Sequence, residues 1–189
     1  MFQPTVPRTG FGRTLAMMEL IFHASVRHVR KSNGNAVIGL LISVVQSLVG
    51  IGIMVLMFTL IGRGVGTQVR GDFILYIMSG VFSFMTHSKT IRAVSSADGP
   101  TSAMMKHAPM NTIISISAAA LSALYLQTLS AAVILFGYHA LWTPITIDEP
   151  VGVAAMYLLS WSSGIGIGLI FKALTPWAPD FFGVLTTAY

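Results

Sequence analysis

The chain has 189 residues, of which 54% are hydrophobic and only 9% charged, with a net charge of +5 and no cysteine. Soluble domains carry about 25% charged residues, so this composition, with a mean hydropathy of +0.76, excludes an ordinary soluble fold. The lack of cysteine excludes disulfides, thiolate metal sites and cysteine nucleophiles. The basic residues lie mostly outside the apolar stretches, as membrane topology demands, so the positive charge does not point to nucleic acid.

Met1–Gly12 is polar with two prolines and reads as irregular. Met1–Arg30 holds no apolar core followed by a small-residue cleavage site, so no cleavable signal peptide is expected. Leu15–Lys31 reads as an amphipathic helix: Leu15, Met18, Phe22, Val26 and Val29 recur at three- and four-residue spacing. His23, Arg27, Arg30 and Lys31 fall mostly on the other side. Such a helix can lie in the headgroup layer with its cations toward anionic lipid, or pack on a partner. Ser32, Asn33, Gly34 and Asn35 then break it.

Four apolar stretches follow: 36–61, 73–93, 113–142 and 151–174. Crossing about 30 Å of hydrocarbon takes roughly 20 apolar residues. The second stretch is the awkward one, because His87, Ser88, Lys89 and Arg92 follow directly on Phe73–Thr86. Either that helix leaves the membrane near Thr86, or it is tilted and partly covered by protein. A fresh apolar run begins near 181 and reads as the start of a fifth span in a chain that continues further.

The fold expected is all-α. It is a polytopic membrane helix bundle of four complete spans plus the start of a fifth, behind an N-terminal amphipathic interface helix. Residues 1–35 form the N-terminal segment and 36–189 the transmembrane domain. Nine of the basic residues (Arg8, Arg13, Arg27, Arg30, Lys31, Lys89, Arg92, Lys106, Lys172) fall on one side, and Arg63 and Arg70 on the other. The positive-inside rule then places the N-terminus and the 94–111 connection in the cytoplasm.

No Asp or Glu occurs within the four stretches, which counts against coupling to protons or sodium. The polar residues there are uncharged and include Ser43, Gln46, Ser47, Ser83, Gln127 and Ser160. They suit hydrogen bonds between helices, or the lining of a path for a hydroxyl-rich substrate. Tyr138, His139, Trp142, Tyr157 and Trp161 are interface anchors or stacking platforms for sugar rings. Small residues Ser115, Ala119 and Ala123, and Gly164, Gly166 and Gly168, sit at helix-packing positions. The five histidines show no ligand spacing, and no GxSxG, HExxH or P-loop occurs, so neither a metal, a cofactor nor a catalytic set is expected.

The 94–111 connection is the most suggestive piece. Asp98, Gly99 and Pro100 read as a turn, and Thr101–His107 as a short helix with exposed Met104 and Met105. Pro109 ends it, and Asn111 or Thr112 can cap the next span. A short helix with apolar knobs and one cation fits the cleft of a soluble partner, or lies as a simple loop on the membrane.

At this point the chain resembles the membrane subunit of a type-2 ABC exporter, in the capsular polysaccharide and O-antigen export subfamily. The likeness rests on the basic amphipathic run from Glu19 to Arg30, and on Phe73 to Phe84 with its glycine followed by aromatics. It also rests on Ser88 and Lys89, then Pro109 to Ile114, and on Leu159 to Trp161 and Gly166 to Phe171 in the fourth stretch. It covers about residues 15–189.

The resemblance implies a permease of the bacterial inner membrane that dimerises with a second copy of itself and pairs with two copies of a separate ABC ATPase. The chain would then be no enzyme itself, and a lipid-linked or capsular polysaccharide would be its cargo. Ser95, Asp98, Met104, Met105, Lys106, His107 and Pro109 would couple to the ATPase. Arg27, Arg30 and Lys31 would meet an anionic lipid or pyrophosphate head group. Gln46, Ser83, Gln127, Tyr138 and Trp161 would line the channel. A related permease for a drug, haem or lipid, and a non-transport membrane scaffold, are the alternatives.

Overall fold

The computed structural model describes residues 10–33, 35–61, 71–99, 111–147 and 149–188. Met104, Met105, Lys106, His107 and Pro109 lie outside the described residues, as do Arg8, Arg63 and Arg70. Six helices are described: α1 (Gly10–Asn33), α2 (Ala36–Leu60), α3 (Phe73–Ser95), α4 (Thr112–Leu141), α5 (Pro150–Leu174) and α6 (Pro179–Ala188). No strand occurs among the described residues.

Helix boundaries follow local chemistry. The Asn35 side chain accepts from the Val37 backbone N–H at 3.2 Å, which caps α2 directly after α1 ends. Asp72 caps α3 in the same way, accepting from the Ile74 N–H at 2.9 Å. Gly71, just before it, has φ +110, a conformation that side chains rarely adopt. Pro150 opens α5, where its missing N–H is not needed. Asn111 stands at the N-cap of α4 without a side-chain bond.

Three helices are long and apolar enough to cross a membrane: α2 from Val37, α4 and α5. Their outward faces carry exposed Val37, Leu41 and Leu48 on α2, and Val151, Met156 and Leu159 on α5. Water would oppose so much exposed apolar surface, and hydrocarbon accommodates it. The spans read from sequence end within about one residue of these helices.

Helix α3 is the hub. It packs most extensively on α5, then on α4 and α2. It runs without a break to Ser95, and Thr86, Ser88, Thr90, Ile91 and Val94 near its end are buried by neighbours. α3 is not among the helices long and apolar enough to cross a membrane by themselves, so three such helices are described where four complete spans were expected; its late residues are covered by protein. Polar side chains late in α3 are tolerated because protein surrounds them. α3 and α5 run parallel, since Ser83 meets Ser160, His87 meets Ser163, and Ala97 meets Lys172. Close approach is possible because Gly164 and Gly168 of α5 face α3, whereas Gly166 faces open space.

One half of the bundle is apolar: Ile51 of α2, Ile77, Met78, Val81 and Phe82 of α3, and Ala131 and Ile134 of α4 form one cluster. α1 lies against α4 through Ala24, Ile114 and Ala118. α6 contacts the ends of α3 and α5.

Candidate functional site

The seam between α2, α3 and α4 turns polar beyond the Phe82 layer. Lys89 brings Ser43 and Gln127 together there, and Ser47, Thr86 and Ser130 are buried on the same three helices; buried Thr90 instead faces Gly164 of α5, and buried Ser122 lies on the α1 side of α4. Most of these hydroxyls are satisfied within their own helix. Ser47 donates to the Ser43 carbonyl, Thr86 to Phe82, Thr90 to Thr86, and Ser130 to Leu126, at 2.6–2.9 Å. They therefore add little adhesion between helices. They make the seam polar without tying it shut.

Lys89 is the exception. From α3 its Nζ donates to Ser43 Oγ of α2 at 3.0 Å and reaches Gln127 Oε1 of α4 at 3.5 Å. One ammonium thus joins three helices. No carboxylate pairs with it among the described residues. A charge taken into a bundle without a counter-charge is costly, and where it persists it marks a functional position.

A second polar group lies on the α5 side of α3. His87 Nδ1 is 3.2 Å from the Ser160 carbonyl oxygen and 2.9 Å from Ser163 Oγ. A carbonyl only accepts, so the tautomer with its proton on Nδ1 would donate to it. Ser163 Oγ donates to the Ser160 carbonyl, and Ser160 Oγ donates to the Ser83 carbonyl at 2.7 Å. Further toward the end of α3, Arg92 Nε donates to the Thr186 carbonyl at 3.3 Å, and Lys172 Nζ donates to the Ala97 carbonyl.

The residues expected to line a channel are not all together. Gln127 belongs to the Lys89 cluster, and the backbone carbonyl of Ser83 to the neighbouring α3–α5 contact. Trp161 donates its indole N–H to the Ala120 carbonyl at 2.9 Å, tying α5 to α4. Gln46 is exposed on α2. Tyr138 is at the opposite end of the bundle, where its hydroxyl donates to Asp72, the residue that caps α3. That hydroxyl is the main reason the Asp72 carboxyl sits below the ordinary carboxylate range, with the Ile74 N–H adding to it and desolvation opposing it.

Of the expected coupling residues, the structure describes two. Ser95 closes α3 and donates to the Arg92 carbonyl, and Asp98 follows just beyond. Arg27 is exposed on α1, and Arg30 and Lys31 lie in its last turns.

The sequence offered Lys89 for orientation and resemblance and Ser43 as one of several polar residues within the stretches, but it did not join either of them, or His87, into a site. One signal was present: a lysine about two turns before the end of a helix that otherwise needs burial. No family model matches this sequence, and no curated protein or solved structure matches it either.

Proposed function

We propose that the chain is the permease subunit of an ATP-driven exporter, moving an anionic or hydroxyl-rich glycan outward across a bacterial inner membrane. The observation that carries this reading is Lys89, held by Ser43 and Gln127 inside the bundle without a carboxylate among the described residues. A lysine serving only architecture would be expected with an acidic partner. One surrounded by hydroxyls and an amide attracts a passing phosphate or acidic sugar. The four apolar stretches hold no acid that could carry a coupling proton or cation, and Asp180 stands in the first turn of α6, which favours a driving force from a separate ATPase.

In this reading α3 is itself a span, the N-terminus is cytoplasmic, and α6 begins a fifth span. The connection from Ser96 to Asn111 takes the thrust of the ATPase. It leads straight out of α3, the helix on which α2, α4 and α5 all pack. Displacing α3 alters the Lys89 seam and the α5 contact together. Transport then follows from the different stabilities of two bundle arrangements. A second copy of the chain supplies the other wall of the path.

The test is deletion of the gene in its own host, with surface glycan measured on intact cells and total glycan on lysed cells. Loss of surface glycan with retention inside the cell, restored by the wild-type gene and not by Lys89→Met, supports export. Unchanged surface glycan sinks the reading and leaves the drug, haem, lipid or scaffold alternatives.

A further inference from the structure

On the α1 side of α4, residues of α1, α4 and α5 line a half-open cavity of about 840 Å³. Its walls include Met18, Phe22 and Val26 of α1, Leu121 and Tyr125 of α4, and Trp161 of α5. The lining is largely apolar, so water is a poor occupant. The indole of Trp161 is fixed in the wall by its bond to the Ala120 carbonyl. Met18 and Phe22 are 68% and 65% exposed, so on the α1 side the cavity borders open apolar surface.

Charge selects the occupant. α1, which forms one wall, carries Arg27, Arg30 and Lys31 toward its end. After Glu19, no acidic residue follows in the sequence until Asp72. An apolar slot beside a cationic helix end matches a molecule with a hydrocarbon tail and an anionic head.

We propose that this cavity seats an acyl chain of an anionic phospholipid from the bilayer, with its head group held by the basic end of α1. The bound lipid would sit beside the contact that α1 makes with α4 through Ala24, Ile114 and Ala118, with Ile21 packed against them. The proposal does not depend on the transport reading.

The test uses the full chain with Trp142→Phe and Trp177→Phe, which leaves Trp161 as the sole tryptophan of the original three. It is reconstituted in phosphatidylcholine vesicles containing a small fraction of either phosphatidylglycerol or phosphatidylcholine brominated on its acyl chains. Brominated phosphatidylglycerol should quench Trp161 at least about threefold more than brominated phosphatidylcholine, because the cations of α1 favour an anionic head group. Adding Arg27→Ala, Arg30→Ala and Lys31→Ala should erase the excess and leave quenching by phosphatidylcholine unchanged. Equal quenching by the two lipids overturns the proposal, and so does an excess that survives the triple substitution. Absence of quenching by either lipid means that a second copy or another protein covers the cavity, and it also overturns the proposal.

Discussion

Gly164 lies so close to α3 that a β-carbon built on it would sit 2.7 Å from the carbonyl oxygen of His87. One turn on, a β-carbon at Gly168 would meet Val94 Cβ at 2.8 Å and the Ile91 carbonyl oxygen at 3.1 Å. Backbone cannot step aside as a flexible side chain can, so any larger residue pushes the two helices apart. Gly164→Ala and Gly168→Ala should each destabilise the protein by about 1–3 kcal/mol. Gly166→Ala, with nothing within 4 Å, should be neutral. Thermal unfolding in detergent distinguishes the three. Equal stability for all of them would mean that α5 does not pack on α3 through this face.

Gly164 and Gly168 were legible in the sequence as packing positions, but not the helix they face; Gly166, read the same way, packs on nothing within 4 Å. The sequence also placed α2, α4 and α5 to within a residue or so, because a long apolar run is its own signal. It could not decide the fate of α3. Charges at Lys89 and Arg92 argue for exit into water, α3 is not among the three helices apolar enough to cross a membrane, and yet neighbours bury Thr86, Thr90 and Val94. The polar residues were legible as a set, but not their use. Serine and threonine in a helix can bond across to a neighbour or back to their own carbonyls, and most here do the latter. Spacing alone did not bring Ser43, Lys89 and Gln127 together, because they lie on three different helices.

Lys89 allows stability and function to be separated. Lys89→Met keeps the stem and removes the charge, so it should leave thermal stability unchanged or raise it, as replacement of buried charges by apolar groups often does. The same variant should fail to restore surface glycan. Gln127→Leu strands the ammonium with one partner fewer and should destabilise by about 1–3 kcal/mol. A Lys89→Met protein that unfolds early would instead assign the lysine to architecture.

The Tyr138–Asp72 contact joins the start of α3 to the end of α4, and it should fail in acid. The Asp72 carboxyl titrates lower in the folded protein than in the unfolded chain, chiefly through the Tyr138 hydroxyl. Its contribution is therefore complete above the ordinary carboxylate range, and it is lost as the pH falls through the depressed folded value. Wild type should lose more stability than Tyr138→Phe between neutral pH and this acid range. The difference should stay below about 1 kcal/mol because the carboxylate is largely exposed. Parallel acid profiles would show that the contact contributes nothing.

Tyr157 presents the opposite case. Its hydroxyl is buried with no hydrogen-bond partner among the described residues, and its ring packs against the apolar cluster. Removing an unsatisfied polar group recovers its desolvation penalty, so Tyr157→Phe should stabilise by about 1 kcal/mol. Loss of stability on that substitution would reveal a partner for the hydroxyl.

The central claim is that this chain works with a separate ATPase, and the most direct measurement is affinity purification of the full-length protein from solubilised membranes. The protein should carry a P-loop ATPase in one-to-one ratio, and the paired substitutions Met104→Asp and Met105→Asp should abolish the association. A clean absence of any ATPase, in a detergent that keeps other transporters assembled, would contradict the exporter reading.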